Sequence, residues 1–174
     1  MNRTLFLSAI LIAATCVASP ATATEPATPT PTPTPHCQVP CGIYGDQLRF
    51  QGMLEDTKTI AKAIAEINGF AESLGGGSAP TAKGMNQMVR WVSNKESHAQ
   101  KIQDVMGEYF FAQRIKSDHK DYTGQLATAH KVIVAAMKCK QDASAETAKS
   151  LETAILDFYR AYEGKEPDFH EDEK

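Results

Sequence analysis

Residues 50–74, FQGMLEDTKTIAKAIAEINGFAESL, carry the clearest structural pattern in the chain. Their apolar side chains recur at alternating spacings of four and three residues, which is the period of one face of an α-helix. The glycine run at 75–77 and the proline at position 80 discourage continuation of the helix. The pattern therefore predicts a helix over about 46–74 with one buried stripe. The residues of that stripe are Phe50, Met53, Thr57, Ile60, Ile64, Ile67, Ala71 and Leu74.

Three further stretches show the same period, at about 83–115, at about 124–141, and from a cap at Asp142 or Ser144 to a stop at Gly164. None has the period of two that is typical of a strand. Four amphipathic helices with short connections predict an all-α fold, an antiparallel up-and-down four-helix bundle over about 46–164. The second helix is expected to bury Met85, Val89, Val92, Ala99, Ile102, Met106 and Tyr109. The last two are expected to bury Leu126, Ala129 or His130, Ile133 and Met137, and Ala148, Leu151, Ile155, Phe158 and Tyr162.

The first 35 residues are typical of an export and processing leader. Residues 1–23 contain a basic start at Arg3, an apolar stretch over about 5–14 and the cleavage site Ala21-Thr22-Ala23, the three parts of a secretory signal peptide. They predict export to the periplasm or the extracellular space. Residues 24–35, TEPATPTPTPTP, cannot form a helix or sheet interior because proline removes backbone donors and fixes φ. We interpret them as a pro-segment, which a maturation protease removes by cutting before His36.

Composition excludes several classes of function. The chain of 174 residues has a net charge of −3, and removal of the leader takes away one positive and one negative residue. With no basic cluster, we expect no nucleic-acid partner, and no stretch beyond the signal is long enough to suggest a membrane span. Three cysteines remain after the signal, and an odd number argues against a disulfide framework. Cys139 lies at helical spacing from apolar residues and is expected to be a small core residue, whereas 165–174 form an acidic tail.

The stretch that follows the leader, HCQVPCGIY at 36–44, predicts an N-terminal metal-binding hook. Cleavage before His36 would expose a free amine and an imidazole beside the Cys37 amide and the thiolates of Cys37 and Cys41. Nitrogen and sulfur donors of these types suit square-planar or square-pyramidal Ni(II) or Cu(II) better than tetrahedral zinc.

These nine residues resemble the nickel-binding hook of the nickel superoxide dismutase family, H-C-x-x-P-C-G-x-Y, at all six fixed positions. The resemblance implies one nickel ion per subunit. It implies that His36 supplies its α-amine and imidazole, Cys37 its amide nitrogen and thiolate, and Cys41 a second thiolate. Tyr44 matches the tyrosine that lines the approach of the small anion, and Tyr109 matches a second tyrosine nearby. The resemblance also implies a homohexamer.

The supporting residues of the hook resemble the family less closely. Where the family places a carboxylate that supports the imidazole, this chain has Gly52, with Glu55 one turn later. His98 or Arg90 would stand in for the supporting arginine of the family. The orientation of the His36 imidazole is therefore left open by the sequence.

The function that the resemblance implies is disproportionation of superoxide to dioxygen and hydrogen peroxide, with nickel cycling between Ni(III) and Ni(II). One alternative is an exported nickel- or copper-binding helical protein without catalysis, which would hold metal but consume no superoxide. Another is a helical interaction domain in which a Cys37–Cys41 disulfide pins the N-terminus, with oxidised thiols and no metal.

Overall fold

The computed structural model describes residues 42–77 and 79–169, which form four α-helices. These are α1 (Asp46–Gly75), α2 (Ala82–Asp104), α3 (Tyr122–Gln141) and α4 (Ala145–Glu163). A π-helical segment, Val105–Arg114, continues α2. These described residues contain no strand, and the all-α prediction is confirmed. The predictions for residues 1–41, including those for His36, Cys37 and Cys41, lie outside the described residues, as does the end of the tail at 170–174.

The helices pack as a closed ring in chain order, with α4 returning to α1. At one end, the Asn68 side chain of α1 donates to the carbonyl oxygen of Ala143 in the α3–α4 connection at 2.9 Å. At the other end, the Tyr159 hydroxyl of α4 lies 3.2 Å from the side-chain oxygen of Gln47 at the start of α1. Successive helices therefore run in opposite directions, as predicted for an up-and-down bundle. We call the second end, where α1 begins and α4 ends, the Tyr44 end.

Aromatic rings fill the core near the Tyr44 end. The fully buried Phe50 ring has its centroid 4.9 Å from that of Phe110, 5.0 Å from Tyr159 and 5.4 Å from Phe158. These separations and tilted orientations are the ones that aromatic pairs prefer. The start of α1 is thus anchored to α4 and to the π-helical segment by large apolar contacts.

The predicted stripe of α1 is buried from Phe50 to Ile67, whereas Ala71 is exposed. The prediction is wrong for the first half of α2, where Met85, Val89 and Val92 are exposed at 47%, 61% and 37%. Apolar spacing finds a stripe but does not tell which face a neighbouring helix covers.

Of the two residues that could face the core on α3, Ala129 is buried and His130 is exposed. Met137 was expected in the core and is 40% exposed. Cys139 is fully buried and free, as predicted, and its burial raises the pKa of its thiol. The core side of α3 is thus set by small side chains, which let α4 approach closely.

The helix ends follow their local sequence signals. The Thr81 hydroxyl accepts a hydrogen bond from the Gly84 amide at 3.1 Å and caps α2. Ser144 occupies the N-cap position of α4, which settles the choice between Asp142 and Ser144. Gly164 ends α4 in the left-handed region at φ 69°, where glycine is favoured.

The buried side chain of Lys95 on α2 caps the C-terminus of α3. The Lys95 ammonium of α2 donates to the carbonyl oxygens of Cys139 at 2.6 Å and Lys140 at 2.7 Å, and it lies 3.0 Å from the Glu96 carboxylate. The last carbonyl groups of a helix lack partners within the helix, and a positive charge there also complements the helix dipole. Lys95 therefore ties the middle of α2 to the C-terminus of α3.

Of the helices within 42–77 and 79–169, none combines the length and the apolar character that crossing a bilayer requires.

Candidate functional site at the Tyr44 end

Residues 42–45 lead from the predicted hook into α1. Gly42 directly follows Cys41 and has φ +80°, a left-handed conformation that L side chains rarely adopt. A glycine is thus required where the backbone turns after the last predicted ligand. Tyr44 lies two residues before α1 and is 40% exposed. It is the one predicted site residue of the hook that the described structure places.

Tyr109 holds this segment against the bundle. Its hydroxyl lies 3.0 Å from the backbone carbonyl oxygen of Tyr44 and 2.5 Å from Oδ1 of Asp46. The rings of Tyr44 and Tyr109 meet edge to face with their centroids 6.3 Å apart. The structure therefore brings together the two tyrosines that the sequence placed near the anion path.

The π-helical segment positions Tyr109. Sequence periodicity predicted one continuous helix over about 83–115, but the hydrogen-bonding pattern changes at Val105. In the wider π-helical turn both Tyr109 and Phe110 are buried although they are adjacent in sequence. Phe110 joins the aromatic core, and Tyr109 reaches the start of α1. Departures of this kind from α-helical geometry are frequent at functional sites.

Asp46 is the centre of a polar cluster at this end. Besides Tyr109, its carboxylate accepts hydrogen bonds from Arg114 at 2.5 Å and from the Tyr162 hydroxyl at 2.8 Å. Burial by itself raises the pKa of Asp46, but the hydrogen bonds from Arg114, Tyr109 and Tyr162 outweigh it and leave the pKa below its usual value. The carboxylate is therefore ionised at neutral pH and joins α1 to α4 and to the end of the π-helical segment.

The same cluster keeps two tyrosines protonated. Burial, followed by the hydrogen bond to the Asp46 carboxylate, raises the pKa of both Tyr109 and Tyr162 to about 12. Both hydroxyls are therefore donors throughout the neutral range, with Asp46 as acceptor. Sequence reasoning missed Asp46, Arg114 and Tyr162, because 63 to 116 residues separate the partners of their contacts and no short motif connects them.

Arg49 lies over the Tyr44 ring. Its guanidinium carbon is 4.7 Å from the ring centroid. Its Nε is buried and, within the described part of the chain, has no hydrogen-bond partner. Arg49 also lines a cavity of about 330 Å³, together with Gly52 of α1 and with Lys101 and Asp104 of α2. The position that carries a carboxylate in the resembled family is thus a glycine beside open space, where a Cβ would meet no atom within 4 Å.

No competing metal site is found among residues 42–77 and 79–169, which hold no group of three or more potential ligands of the His, Cys, Asp or Glu type. His98, a suggested stand-in for the supporting arginine, instead contacts the Asp56 carboxylate through Nδ1. His119 accepts a hydrogen bond from the Asp121 amide at 3.1 Å.

The described residues define a four-helix bundle with a tyrosine-lined end, and comparison with known families gives its class. The family model of nickel-containing superoxide dismutase matches residues 31–166. No curated protein and no solved structure matched the chain.

The match spans most of the chain, so the protein belongs to the nickel-containing superoxide dismutase family. It is a nickel-dependent oxidoreductase that converts superoxide to dioxygen and hydrogen peroxide. The predictions of family, reaction and cofactor are confirmed, and nothing favours a metal-binding protein without catalysis.

Proposed function

We propose that His36, Cys37 and Cys41 bind the nickel ion, one per chain, and that Tyr44 lines the approach of superoxide to it. The observation that carries the proposal is the attachment of the segment after Cys41 to the bundle. Tyr109 contacts the backbone of Tyr44, and Gly42 has the backbone conformation that a turn out of the hook requires. All three proposed ligands also lie within the matched region.

The donor set fits nickel. In the proposed site His36 gives its α-amine and imidazole, Cys37 its amide nitrogen and thiolate, and Cys41 a thiolate. Thiolates and a deprotonated amide are strong donors that stabilise a higher oxidation state. Metal binding favours the deprotonated forms of such ligands.

Held by these residues, nickel would supply one-electron redox chemistry between Ni(III) and Ni(II), so that one superoxide could be oxidised to dioxygen and a second, with two protons, reduced to hydrogen peroxide. The protein restricts what reaches the ion. Tyr44, whose ring contacts both Tyr109 and Arg49, narrows the approach so that it favours a small anion over larger molecules. Tyr109 holds the Tyr44 backbone in place and, with its pKa of about 12, keeps its own proton near neutral pH.

Maturation is part of the proposal. Residues 1–23 direct export to the periplasm or the extracellular space, and a second protease removes 24–35 by cutting before His36. As long as Pro35 acylates its nitrogen, His36 has no free amine to offer. Timed cleavage therefore controls nickel binding.

We also propose that the subunits assemble, as a hexamer by family resemblance. Exposed apolar side chains support an interface, because contiguous patches of this kind mark sites of protein contact. They form two groups, Met85, Val89 and Val92 along α2, and Ile43 and Leu48 beside Tyr44. Sedimentation of the nickel-loaded protein would test the assembly, and a monomer at micromolar concentration would contradict it.

Separate replacement of the cysteines tests the site. Cys37→Ser and Cys41→Ser each remove a thiolate and should abolish superoxide consumption even if some nickel still binds. The matched control is Cys139→Ser, which changes the same group in the core and should leave nickel content and activity intact while lowering stability by about 1–3 kcal/mol. Loss of activity in the Cys139 variant alone would move the site away from the hook.

A further inference from the structure

We propose that Arg49 is the residue that draws superoxide toward Tyr44, acting as the cationic guide of the anion approach. The inference rests on the hook proposed above, since it takes Tyr44 as the lining of that approach. It adds a residue for which the hook motif has no position, because Arg49 lies five residues beyond the motif.

The charge of Arg49 has no partner among the described residues. Arg114, the other guanidinium near the two tyrosines, is paired with the Asp46 carboxylate at 2.5 Å. Arg49 has no ion pair among the described residues, and its buried Nε has no hydrogen-bond acceptor there. Of the two guanidinium groups beside Tyr44 and Tyr109, Arg49 is therefore the one that lacks an ion pair among the described residues.

Arg49 also lies beside the residue proposed to line the approach of the anion. The guanidinium lies against the ring face of Tyr44, 4.7 Å from its centroid, in a cation–π contact that fixes the charge where the approach begins. The neighbouring cation, Lys101, lies 4.0 Å from the Asp56 carboxylate and is thus paired with it. Asp56 and Asp104 also line the cavity that Arg49 borders, but Arg49 forms an ion pair with neither within the described part of the chain.

The net charge of the protein has the same sign as that of superoxide. A chain of net charge −3 repels superoxide at long range. A local positive potential at the edge of a cleft raises the rate of association of an anion, typically by about 10- to 1,000-fold, and salt suppresses the effect. Superoxide carries one charge, so a single guanidinium accounts for the lower part of this range.

The test measures kcat/KM for superoxide as a function of ionic strength with mature, nickel-loaded enzyme. Arg49→Gln should lower kcat/KM by about tenfold at low ionic strength, with a difference that disappears at high salt. Arg49→Lys keeps the charge and should retain most of the rate. Arg49→Met, which keeps the aliphatic stem, replaces Arg49→Gln if that variant does not fold.

Lys83→Gln is the matched control, because it removes one exposed positive charge at the far end of the bundle. The adjacent Gly84 lies against Phe70, 21 residues along α1 from Arg49, or about 30 Å at the helical rise. This variant should behave like the parent. If Lys83→Gln lowered the rate as much as Arg49→Gln, net charge rather than Arg49 would govern the approach, and the proposal would be wrong.

A second readout does not depend on turnover. Azide, a small anion, should shift the carbon resonances of the Tyr44 ring in the parent and in Lys83→Gln, and should shift them at least several-fold less in Arg49→Gln. The assignment comes from the signal that Tyr44→Phe removes. An equal response in Arg49→Gln, or a rate loss that persists unchanged at high salt, overturns the guiding role. If nickel content is normal, either result contradicts only the role of Arg49 and not the proposed nickel site. Nickel binding that does not depend on Cys37 and Cys41 would instead contradict the nickel site itself.

Discussion

The hydroxyl of Tyr109 lies 3.0 Å from the backbone carbonyl oxygen of Tyr44, across 65 positions of sequence. Because the acceptor belongs to the backbone, the contact fixes the path of the chain rather than one side chain. It connects the π-helical segment to the residues that follow the proposed nickel ligands. The position of the segment before α1 should therefore depend on the Tyr109 hydroxyl.

Tyr109→Phe should loosen the segment before α1. The variant loses its hydrogen bonds to the Tyr44 carbonyl and the Asp46 carboxylate, and we expect a loss of about 1–3 kcal/mol in the free energy of unfolding. Urea denaturation measures the loss, and faster amide hydrogen exchange over 42–46 locates it. Tyr122→Phe is the control, since Tyr122 is half-buried on α3. Equal stability of the two variants would contradict the anchoring role of Tyr109.

Asp46 should give the protein an acid-sensitive component of stability. Its pKa in the folded state is lowered from the ordinary value of 3.8, so the stabilisation is present above that value and is lost as the pH falls through the folded pKa. Asp46→Asn should be less stable than the parent by about 1–3 kcal/mol at neutral pH. The difference should shrink below about pH 4. Urea titrations of both proteins at several pH values measure this difference in the free energy of unfolding. A difference that does not change with pH would contradict the role of the ionised carboxylate.

Lys95→Met should destabilise the junction of α2 and α3. The change keeps a long apolar stem but leaves the Cys139 and Lys140 carbonyl oxygens without their donor, at a cost of about 1–3 kcal/mol. Lys149→Met on the exposed surface of α4 is the control and should change the unfolding free energy by less than about 0.5 kcal/mol. If both variants unfold at the same urea concentration as the parent, Lys95 does not act as a cap.

Replacement of His36 should separate nickel binding from catalysis. His36→Gln in the mature chain keeps the α-amine, the Cys37 amide and both thiolates, so nickel content should stay close to normal. Loss of the imidazole makes the oxidised state harder to reach, and activity should fall at least about tenfold, or roughly 1.4 kcal/mol of barrier. Metal analysis, the electron paramagnetic resonance spectrum and superoxide consumption measure these effects. Complete loss of nickel would mean that the imidazole is a primary anchor.

The sequence predicted the bundle because helical periodicity and glycine stops are local signals. The stripe from Phe50 to Ile67 and the stop at Gly164 needed no knowledge of the partners. The buried face of α2 could not be assigned from helical periodicity alone. Met85, Val89 and Val92 have helical spacing, but their exposure depends on which helices lie beside α2.

The proposed nickel site is a contiguous motif that could be read from sequence, whereas the cluster beside it is assembled by the fold. The hook residues 36–44 and the match of Tyr109 were visible in sequence. The cluster around Asp46 depends on a π-helical register and on the end of α4, neither of which leaves a local signal. The lack of an ion pair at Arg49 among the described residues could not be predicted either, because it depends on where the carboxylates of Asp56 and Asp104, which line the same cavity, lie in space.

The most direct test of the nickel hook is nickel analysis of purified protein whose N-terminal residue has been determined. Chains that begin at His36 should contain about one nickel ion each, and chains that retain the Thr-Pro segment should contain little, because Pro35 acylates the amine that must serve as a ligand. Nickel at full occupancy in uncleaved chains, or its absence from nickel-supplied chains that begin at His36, would contradict the account.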